Sequence, residues 1–451
     1  MVAIVPVVDE GLGNSSYLVD LGDGRVLVVD PVRDPAPYLD LARERRLRIT
    51  HAVETHLHAD FVSGSRELAA RGARIVAARA ADLRFPHQGL DDQEELDLGG
   101  LMLRAVATPG HTPEHLAWLL LDAGRPLALF SGGALLVGGV ARTDLIAPEQ
   151  TEPLTRAAWR SLQQLQALPD DLSVYPTHGA GSFCSTPGDA ERTTTIGAER
   201  AHNPLLAAPD EEVFTERLLG GLGSFPPYFL RLREVNRRGP RVLDERDRTL
   251  LALSVEQIRR KVDDGAVLVD IRPAKAFGAG HPAGALSIAL RPAFATWLGW
   301  LVEPDRPLVF VLGRGQDRGE LLRQCHQIGY ERLAGELAGG MAAWRAAGLP
   351  EGHLELVAPG EVVGAVLDVR QVSEVEAGHL PGAVTVELGA LGSDGGQGLP
   401  AGPLTVMCEH GERATTGASL LARAGRGGLR VVAGGGPAEW SQATGRPLTH
   451  P

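Results

Sequence analysis

The first 240 residues alternate apolar and polar positions over short runs, separated by glycine and proline. Alternation of period two marks a half-buried strand. It predicts strands over Ala3–Val8, Ser16–Leu21 and Arg25–Asp30, the last two closed into a hairpin by Gly22-Asp23-Gly24. Asp34-Pro35 offers an N-cap and a first-turn proline to a helix running to about Arg46. An apolar run from Ile49 carries a strand to Glu54, and a helix follows from Ser63 or Gly64 to about Arg71. Further strands are expected at Arg74–Ala77, Leu101–Ala107, Leu116–Leu121, Leu127–Ser131 and Ser173–Tyr175, with an amphipathic helix over Thr151–Leu168. This order predicts mixed sheets with helices outside and loops gathered at one edge.

The remaining chain keeps another rhythm, short apolar strands alternating with helical patterns, and keeps it twice. Val267-Leu268-Val269-Asp270-Ile271-Arg272 precedes Gly280-His281-Pro282-Ala283-Gly284-Ala285, and Val366-Leu367-Asp368-Val369-Arg370 precedes Gly378-His379-Leu380-Pro381-Gly382-Ala383. Both motifs recur at one shared offset, and each copy ends on a Gly-Gly segment closed by tryptophan, Trp344 and Trp440. Equal offsets at several motifs indicate a tandem duplication. Each copy reads as a small α/β domain with a parallel sheet. Gly239-Pro240 marks the boundary ahead of them, so three domains are expected, over residues 1–245, 250–350 and 355–451.

Composition narrows the class. Of 451 residues, 44% are hydrophobic and 22% charged, the profile of a soluble globular protein. A net charge of −12 makes nucleic acid and anionic membranes poor partners. No apolar stretch approaches the ~20 residues of a membrane span, and the opening residues lack the basic region of a signal peptide. Three cysteines argue against a disulfide framework and for a reducing, cytoplasmic setting. The abundance of Ala, Gly, Arg and Pro associates with a bacterial source.

Candidate chemistry gathers in three loops of the first domain. Thr55-His56-Leu57-His58-Ala59-Asp60 follows a strand, and residues two apart in extended backbone point the same way. Two imidazoles and a carboxylate, ordinary ligands for zinc or iron, are thereby presented along one edge. His111 lies in Thr108-Pro109-Gly110-His111-Thr112-Pro113, and His178 in Tyr175-Pro176-Thr177-His178-Gly179, each after a predicted strand. His115 reads instead as a strand-edge residue bonded to backbone. Cys184, close after His178, is a candidate for the pocket wall or a small buried apolar residue.

The set Thr-His-x-His-x-Asp, Thr-Pro-Gly-His-Thr-Pro and Pro-x-His-Gly resembles the metallo-β-lactamase fold. Asp30-Pro31, Phe130-Ser131-Gly132 and Arg142-Thr143-Asp144 resemble its persulfide dioxygenase branch. That resemblance implies an αββα sandwich and a mononuclear iron(II) that oxidises a thiol-bound sulfane sulfur with O2 to sulfite, with ligands at His56 and His111. Two positions depart from the family. Phe61 stands where a histidine is usual, and Gly133 where the ligand aspartate is usual. The expected ligand set is therefore His56, His58 and His111, with Asp60 and His178 nearby. Zinc is the alternative metal.

Both repeat copies resemble rhodanese domains through the Asp-x-Arg strand and the Gly-His-x-Pro-Gly-Ala-type loop. The family's cysteine falls on Cys408 in the second copy, followed by the loop Glu409-His410-Gly411-Glu412-Arg413. Successive backbone N–H groups before a helix form an anion cradle suited to a thiolate or persulfide. In the first copy Leu312 takes the cysteine's place, so that copy is expected to be inactive. Glu409 and Glu412 oppose the cradle's field, with Arg413 offsetting part of it, which predicts that dianionic thiosulfate is a poorer donor than a glutathione-type persulfide.

The fold class implied is α/β and α+β multidomain, a metallo-β-lactamase-like sandwich followed by two rhodanese-like domains. The implied function is oxidation of a thiol persulfide to sulfite, coupled to sulfane-sulfur transfer through Cys408 and Arg413. Its small-molecule partners are persulfide, O2, sulfite and thiosulfate; a homodimer is compatible with the reading. Two alternatives are a sulfurtransferase with a non-catalytic first domain and a zinc thioester hydrolase of the glyoxalase II type.

Overall fold

The computed structural model describes residues 2–185, 191–394 and 396–450. The chain falls into two compact units, Met1–Asp244 with Arg323–Gly329, and Glu245–Leu322 with Tyr330–Pro451.

The first unit holds two six-stranded sheets. One contains β1 (Ile4–Asp9), β2 (Asn14–Asp20), β3 (Arg25–Val29), β4 (Arg48–Val53), β5 (Arg74–Ala78) and β6 (Gln88–Leu90), in that order. The other contains β7 (Glu95–Asp97), β8 (Leu101–Ala107), β9 (Leu116–Asp122), β10 (Arg125–Gly132), β11 (Ser173–Pro176) and β12 (Thr194–Thr195), also in sequence order. Antiparallel pairing gives way to parallel pairing at β3–β4 and at β10–β11. Alternate residues of the two sheets share one buried cluster, Tyr17, Val19, Leu27 and Val53 with Leu103, Trp118, Leu120 and Phe130. The opposite face of the second sheet buries Leu119, Leu129 and Val174 against Leu162 and Phe214 of flanking helices.

Sequence expectation and structure agree to within a few residues on nine of these strands; the short β6, β7 and β12 were not expected. The helix signalled by Asp34-Pro35 runs over Ala36–Glu44 with Pro35 as N-cap, while Asp34 Oδ1 accepts the Ala36 N–H at 3.0 Å. The helix expected over Thr151–Leu168 spans Pro148–Leu165, because Pro148 already supplies the first-turn proline.

In the second unit, two five-stranded parallel sheets repeat one order. The first copy runs Ala252–Leu253, Leu333–Leu337, Leu308–Val311, Val267–Asp270, Leu286–Ser287. The second runs Glu355–Val357, Leu429–Val432, Leu404–Met407, Ala365–Asp368, Val384–Thr385. Ser254 caps the helix Val255–Asp263 in a full capping box with Gln257. Leu312 and Cys408 each follow the middle strand of their sheet. No described helix is long and apolar enough to cross a membrane.

Candidate metal centre and persulfide loop

In the first unit the chemistry sits beyond the carboxyl ends of β3, β4, β10 and β11. Asp30 ends β3 in a left-handed conformation (φ 48°), which turns its carboxylate back under the β4 loop. There Oδ1 accepts the Thr55 N–H and Oδ2 the Thr55 hydroxyl, both at 2.7 Å, and Oδ2 also accepts from Thr177. One carboxylate thus ties together the loops that carry His56 and His178.

Three imidazoles converge above this brace. The Thr55 hydroxyl gives its proton to Asp30, so its oxygen accepts from His56 Nδ1–H at 2.8 Å. His111 Nδ1 donates to the Arg142 carbonyl at 2.7 Å. His178 Nδ1 lies 3.0 Å from Asn14 Oδ1 and 3.3 Å from Asp60 Oδ2. A proton on each Nδ1 leaves each Nε2 with its lone pair outward. His56 Nε2 and His178 Nε2 stand 3.3 Å apart, His111 Nε2 is buried with no hydrogen-bond partner among the described residues, and one nitrogen of each ring lies within 4.8 Å of the others. Facing lone pairs beside an orphaned third one are satisfied by a cation placed among them. Burial, then the charge of neighbouring histidines, holds His56 well below its ordinary pKa and takes His111 to about 3, so both rings are neutral, as metal ligation requires.

His58, expected in this set, falls in two other buried groups able to hold a metal, with Asp30 and His56 and with Asp60 and His178, and its Nδ1 has no hydrogen-bond partner among the described residues. Its Nε2 faces Glu54 Oε2 at 3.1 Å and Asp30 Oδ1 at 3.3 Å. Burial favours the neutral ring, but the two carboxylates outweigh it and push the pKa up to about 10. His58 Nε2 is thus clamped between two acids, while His178 is the third ring grouped with His56 and His111. The alternation that puts His56 and His58 on one edge holds only in extended backbone, and the loop turns after Thr55. Asp60 lies beside His178: Oδ2 accepts from Asn14 at 2.7 Å, and Oδ1 is buried without a hydrogen-bond partner within normal distance among the described residues. Cys184 is fully buried; burial, with the Asp60 charge adding to it, raises its thiol pKa well above the ordinary range. His115 is satisfied at both nitrogens, by the Thr108 hydroxyl at 2.8 Å and the Gly133 N–H at 2.9 Å, and so positions the Gly133 loop. A Cβ on Gly133 would stand 2.7 Å from His111 Cδ2, so the imidazole already fills the space a side chain there would need. Phe61 stacks on His58 at 4.2 Å.

The sequence reading missed the helix Phe229–Arg238. Asn236 Nδ2 donates to the His58 and Phe61 carbonyls at 2.8 and 2.9 Å, and Arg233 pairs at 2.8 Å with Glu114, which in turn accepts the Leu57 N–H at 3.1 Å. Just ahead of the helix, the Tyr228 hydroxyl donates to the Asp60 carbonyl at 3.0 Å. Together they clamp the histidine loop from outside. The polar residues Arg233 and Asn236, spaced for one helical face, were the available signal.

In the second unit the expected cradle is present. Cys408 Sγ accepts the Gly411 N–H at 3.1 Å and the Ala414 N–H at 3.3 Å, the latter in the first turn of the helix Glu412–Arg423. These donors stabilise a thiolate, or the terminal sulfur of a persulfide. Arg413 makes a bidentate pair with Glu374 at 2.5 and 2.6 Å, and Glu409 lies 3.6 Å from Arg370. Glu412 is half-buried and His410 exposed.

Residues 9–178 match the Metallo-beta-lactamase superfamily, and residues 254–347 and 350–443 each match a Rhodanese-like domain. The hydroxyacylglutathione hydrolase of Methylococcus capsulatus is 36% identical over 179 residues, 39% of this chain and 64% of that enzyme's length. The mitochondrial persulfide dioxygenase ETHE1 of Homo sapiens is 31% identical over 212 residues, 46% of this chain and 76% of the relative. A metallo-beta-lactamase from Staphylococcus aureus subsp. aureus COL, known by crystal structure, superposes with a TM-score of 0.66 at 28% identity, covering 75% of this chain and 99% of that one.

Proposed function

This chain belongs to the metallo-β-lactamase superfamily and continues into two rhodanese-like domains, and from that premise we propose that it oxidises a thiol persulfide of the glutathione type to sulfite and passes sulfane sulfur through Cys408. The observation that carries the reading is the convergence of three buried histidine nitrogens, one of them without a hydrogen-bond partner among the described residues, with no carboxylate at Gly133. His56, His111 and His178 would hold a single metal, iron(II) in preference to zinc. Bound there, the metal would supply open positions at which O2 and the persulfide sulfur meet. The chain's own contribution is orientation. Thr55, Arg142 and Asn14 fix the three rings by their Nδ1 protons, and Asp60 places a negative charge beside His178.

Hydroxyacylglutathione hydrolases among the relatives favour thioester hydrolysis as a second reading. A second metal of the kind such hydrolysis uses would need ligands at Phe61 and Gly133, and neither side chain can provide one.

The test is O2 uptake with sulfite assay on adding glutathione persulfide to the iron-reconstituted protein. Stoichiometric uptake, abolished in His111→Ala and retained in Cys408→Ser, is expected. Hydrolysis of a glutathione thioester without O2 uptake would transfer the first unit to the second reading. Metal analysis separates the two candidate third ligands: His178→Ala should lose bound metal, whereas folded His58→Ala should keep it. His58→Ala should instead lose several kcal/mol of stability, about the 3–5 kcal/mol of a broken buried pair, because Asp30 and Glu54 lose their cation.

A further inference from the structure

Beside the histidine loop the first unit encloses a cavity. Its apolar wall is Leu57, Ala77, Ala78, Ala81, Leu83 and Phe85, and the His56 and His58 rings line it too. The space follows from three alanines at and just after the end of β5, where larger side chains would fill it. The alanines and histidines are buried, whereas Leu83, Phe85 and Arg66, also on the wall, are half-buried and mark the outer end. That end is stoppered. The Arg66 guanidinium lies 5.5 Å over the Phe85 ring, and its Nη1 donates to the Gly239 and Pro240 carbonyls at 3.1 and 2.7 Å. A Cβ on Gly239 would stand 2.5 Å from Phe85 Cδ1, so bare backbone packs directly on that ring.

Measured at the centre of a water-sized sphere, the cavity volume is about 20 Å³, against the roughly 10–15 Å³ that one molecule of that size needs. It takes a single diatomic molecule and excludes a carrier as large as glutathione. Its buried polar groups are bonded to one another. Glu54 accepts from Ser63, Ser65 and His58 Nε2, and Asn236 spans the Ser63 N–H and the His58 and Phe61 carbonyls. Of the buried side-chain atoms of the wall, His58 Nδ1 alone lacks a partner among the described residues, and a buried water needs about two to four. An apolar space of this kind stays dry and takes up apolar guests. We propose that this cavity binds O2 beside the metal site. The inference rests on the dioxygenase half of the proposed function. O2 is uncharged, apolar and diatomic, so it matches both wall and volume. The cavity touches the His56 ring, whose Nε2 is turned to the other two ligands. No bond forms or breaks in the cavity; it holds one reactant close to where it is consumed. The charged persulfide carrier, too large for this space, arrives by another way.

The first measurement is diffraction from crystals of the full chain under xenon pressure, which reads the cavity without depending on the metal. A xenon peak is expected among Ala78, Ala81 and the His56 and His58 rings, and none in Ala81→Leu, whose added carbons fill the space. The second is O2 uptake by the iron-reconstituted protein with glutathione persulfide, at varied O2. Ala81→Leu should raise KM for O2 by about fivefold, equal to about 1 kcal/mol, the scale of burying one small apolar group. Its kcat at saturating O2 and its KM for the persulfide should stay within about twofold. Leu83→Phe, which narrows the outer end, is the second filled variant and should shift KM for O2 in the same direction. Absence of xenon, or ordered water in its place, overturns the proposal, and so does an unchanged KM for O2 in both filled variants. An equal loss for O2 and persulfide would mark a packing defect and overturn it too. Xenon in the cavity of a protein that takes up no O2 overturns the dioxygenase reading, and the O2 role with it.

Discussion

The two rhodanese-like copies share a brace and differ in what it supports. In the first, Arg272 holds Asp270 through Nε (2.9 Å) and Nη2 (2.6 Å) and reaches the Gly280 carbonyl at 2.8 Å. In the second, Arg370 holds Asp368 at 3.0 and 2.8 Å and reaches the Gly378 carbonyl at 2.7 Å. The loops after the middle strands then diverge. Around Cys408 the backbone N–H groups of Gly411 and Ala414 turn toward the side chain of the residue ending the strand. Around Leu312 the loop bonds within itself: Gln316 Oε1 accepts the Gly313 N–H at 2.7 Å, Gln316 Nε2 donates to the Ile271 carbonyl at 2.9 Å, and Asp317 Oδ1 accepts the Gly319 and Glu320 N–H groups at 2.8 and 3.2 Å. The first loop is tied up by its own side chains, while the shared brace is kept in both copies.

The largest break in the comparison is Cys408→Ser. It should abolish sulfur transfer to cyanide or sulfite while the melting temperature stays within a few degrees, since the thiol is a small side chain in a loop held by other contacts. Transfer persisting at more than about 1% of wild type would move the chemistry to another residue. Gly411→Ala comes next. Gly411 has φ 113°, and an added Cβ would meet the Val432 carbonyl oxygen and Ala433 Cα at 3.1 Å. Holding a non-glycine residue there costs about 1–3 kcal/mol, and relief of the strain moves the N–H off Cys408 Sγ. A transfer rate lower by about tenfold or more, read together with a lowered melting temperature, is the expected result.

What could be read from sequence follows the same division between scaffold and site. The repeat was legible because the Asp-x-Arg and Gly-His motifs are local, each brace closing within a dozen residues. Cys408 and its loop were legible because cradle and nucleophile are contiguous. The histidine loops were legible as loops, but the surroundings of His58 and His178 depend on Asn14, Asp30 and Glu54, brought together only by the sandwich. No local pattern tells that a carboxylate near the β4 end will capture His58.

Leu312→Cys sharpens the comparison further. If the cysteine alone separated the copies, this variant in a Cys408→Ser background would restore transfer. The Gln316 closure predicts otherwise. A thiol at position 312 gains no pair of converging N–H donors, so transfer should remain below about 1% of wild type, the loss of roughly 3 kcal/mol of anion stabilisation, although the thiol itself should still titrate with a disulfide reagent in the unfolded chain. Restoration to a tenth of wild type or more would show that the loop rearranges readily and that the first copy lost only its nucleophile.

The smallest expected effect comes from Glu374→Gln, and it tests whether Arg413 is withheld from substrate. In the folded protein Glu374 takes both prongs of the Arg413 guanidinium. Burial opposes ionisation of Glu374, and the arginine overcomes it, holding that carboxyl below the usual carboxylate range. A glutamine keeps one acceptor and removes the charge, which leaves Arg413 a cation with less compensation beside Cys408. Affinity for a dianionic donor should then rise, with the thiosulfate KM falling by about two- to threefold, the scale of a partly exposed ion pair, and glutathione persulfide little affected. A thiosulfate KM that instead rises in Glu374→Gln would mean that the pair orients the loop, and that Arg413 serves the cradle's shape rather than its charge.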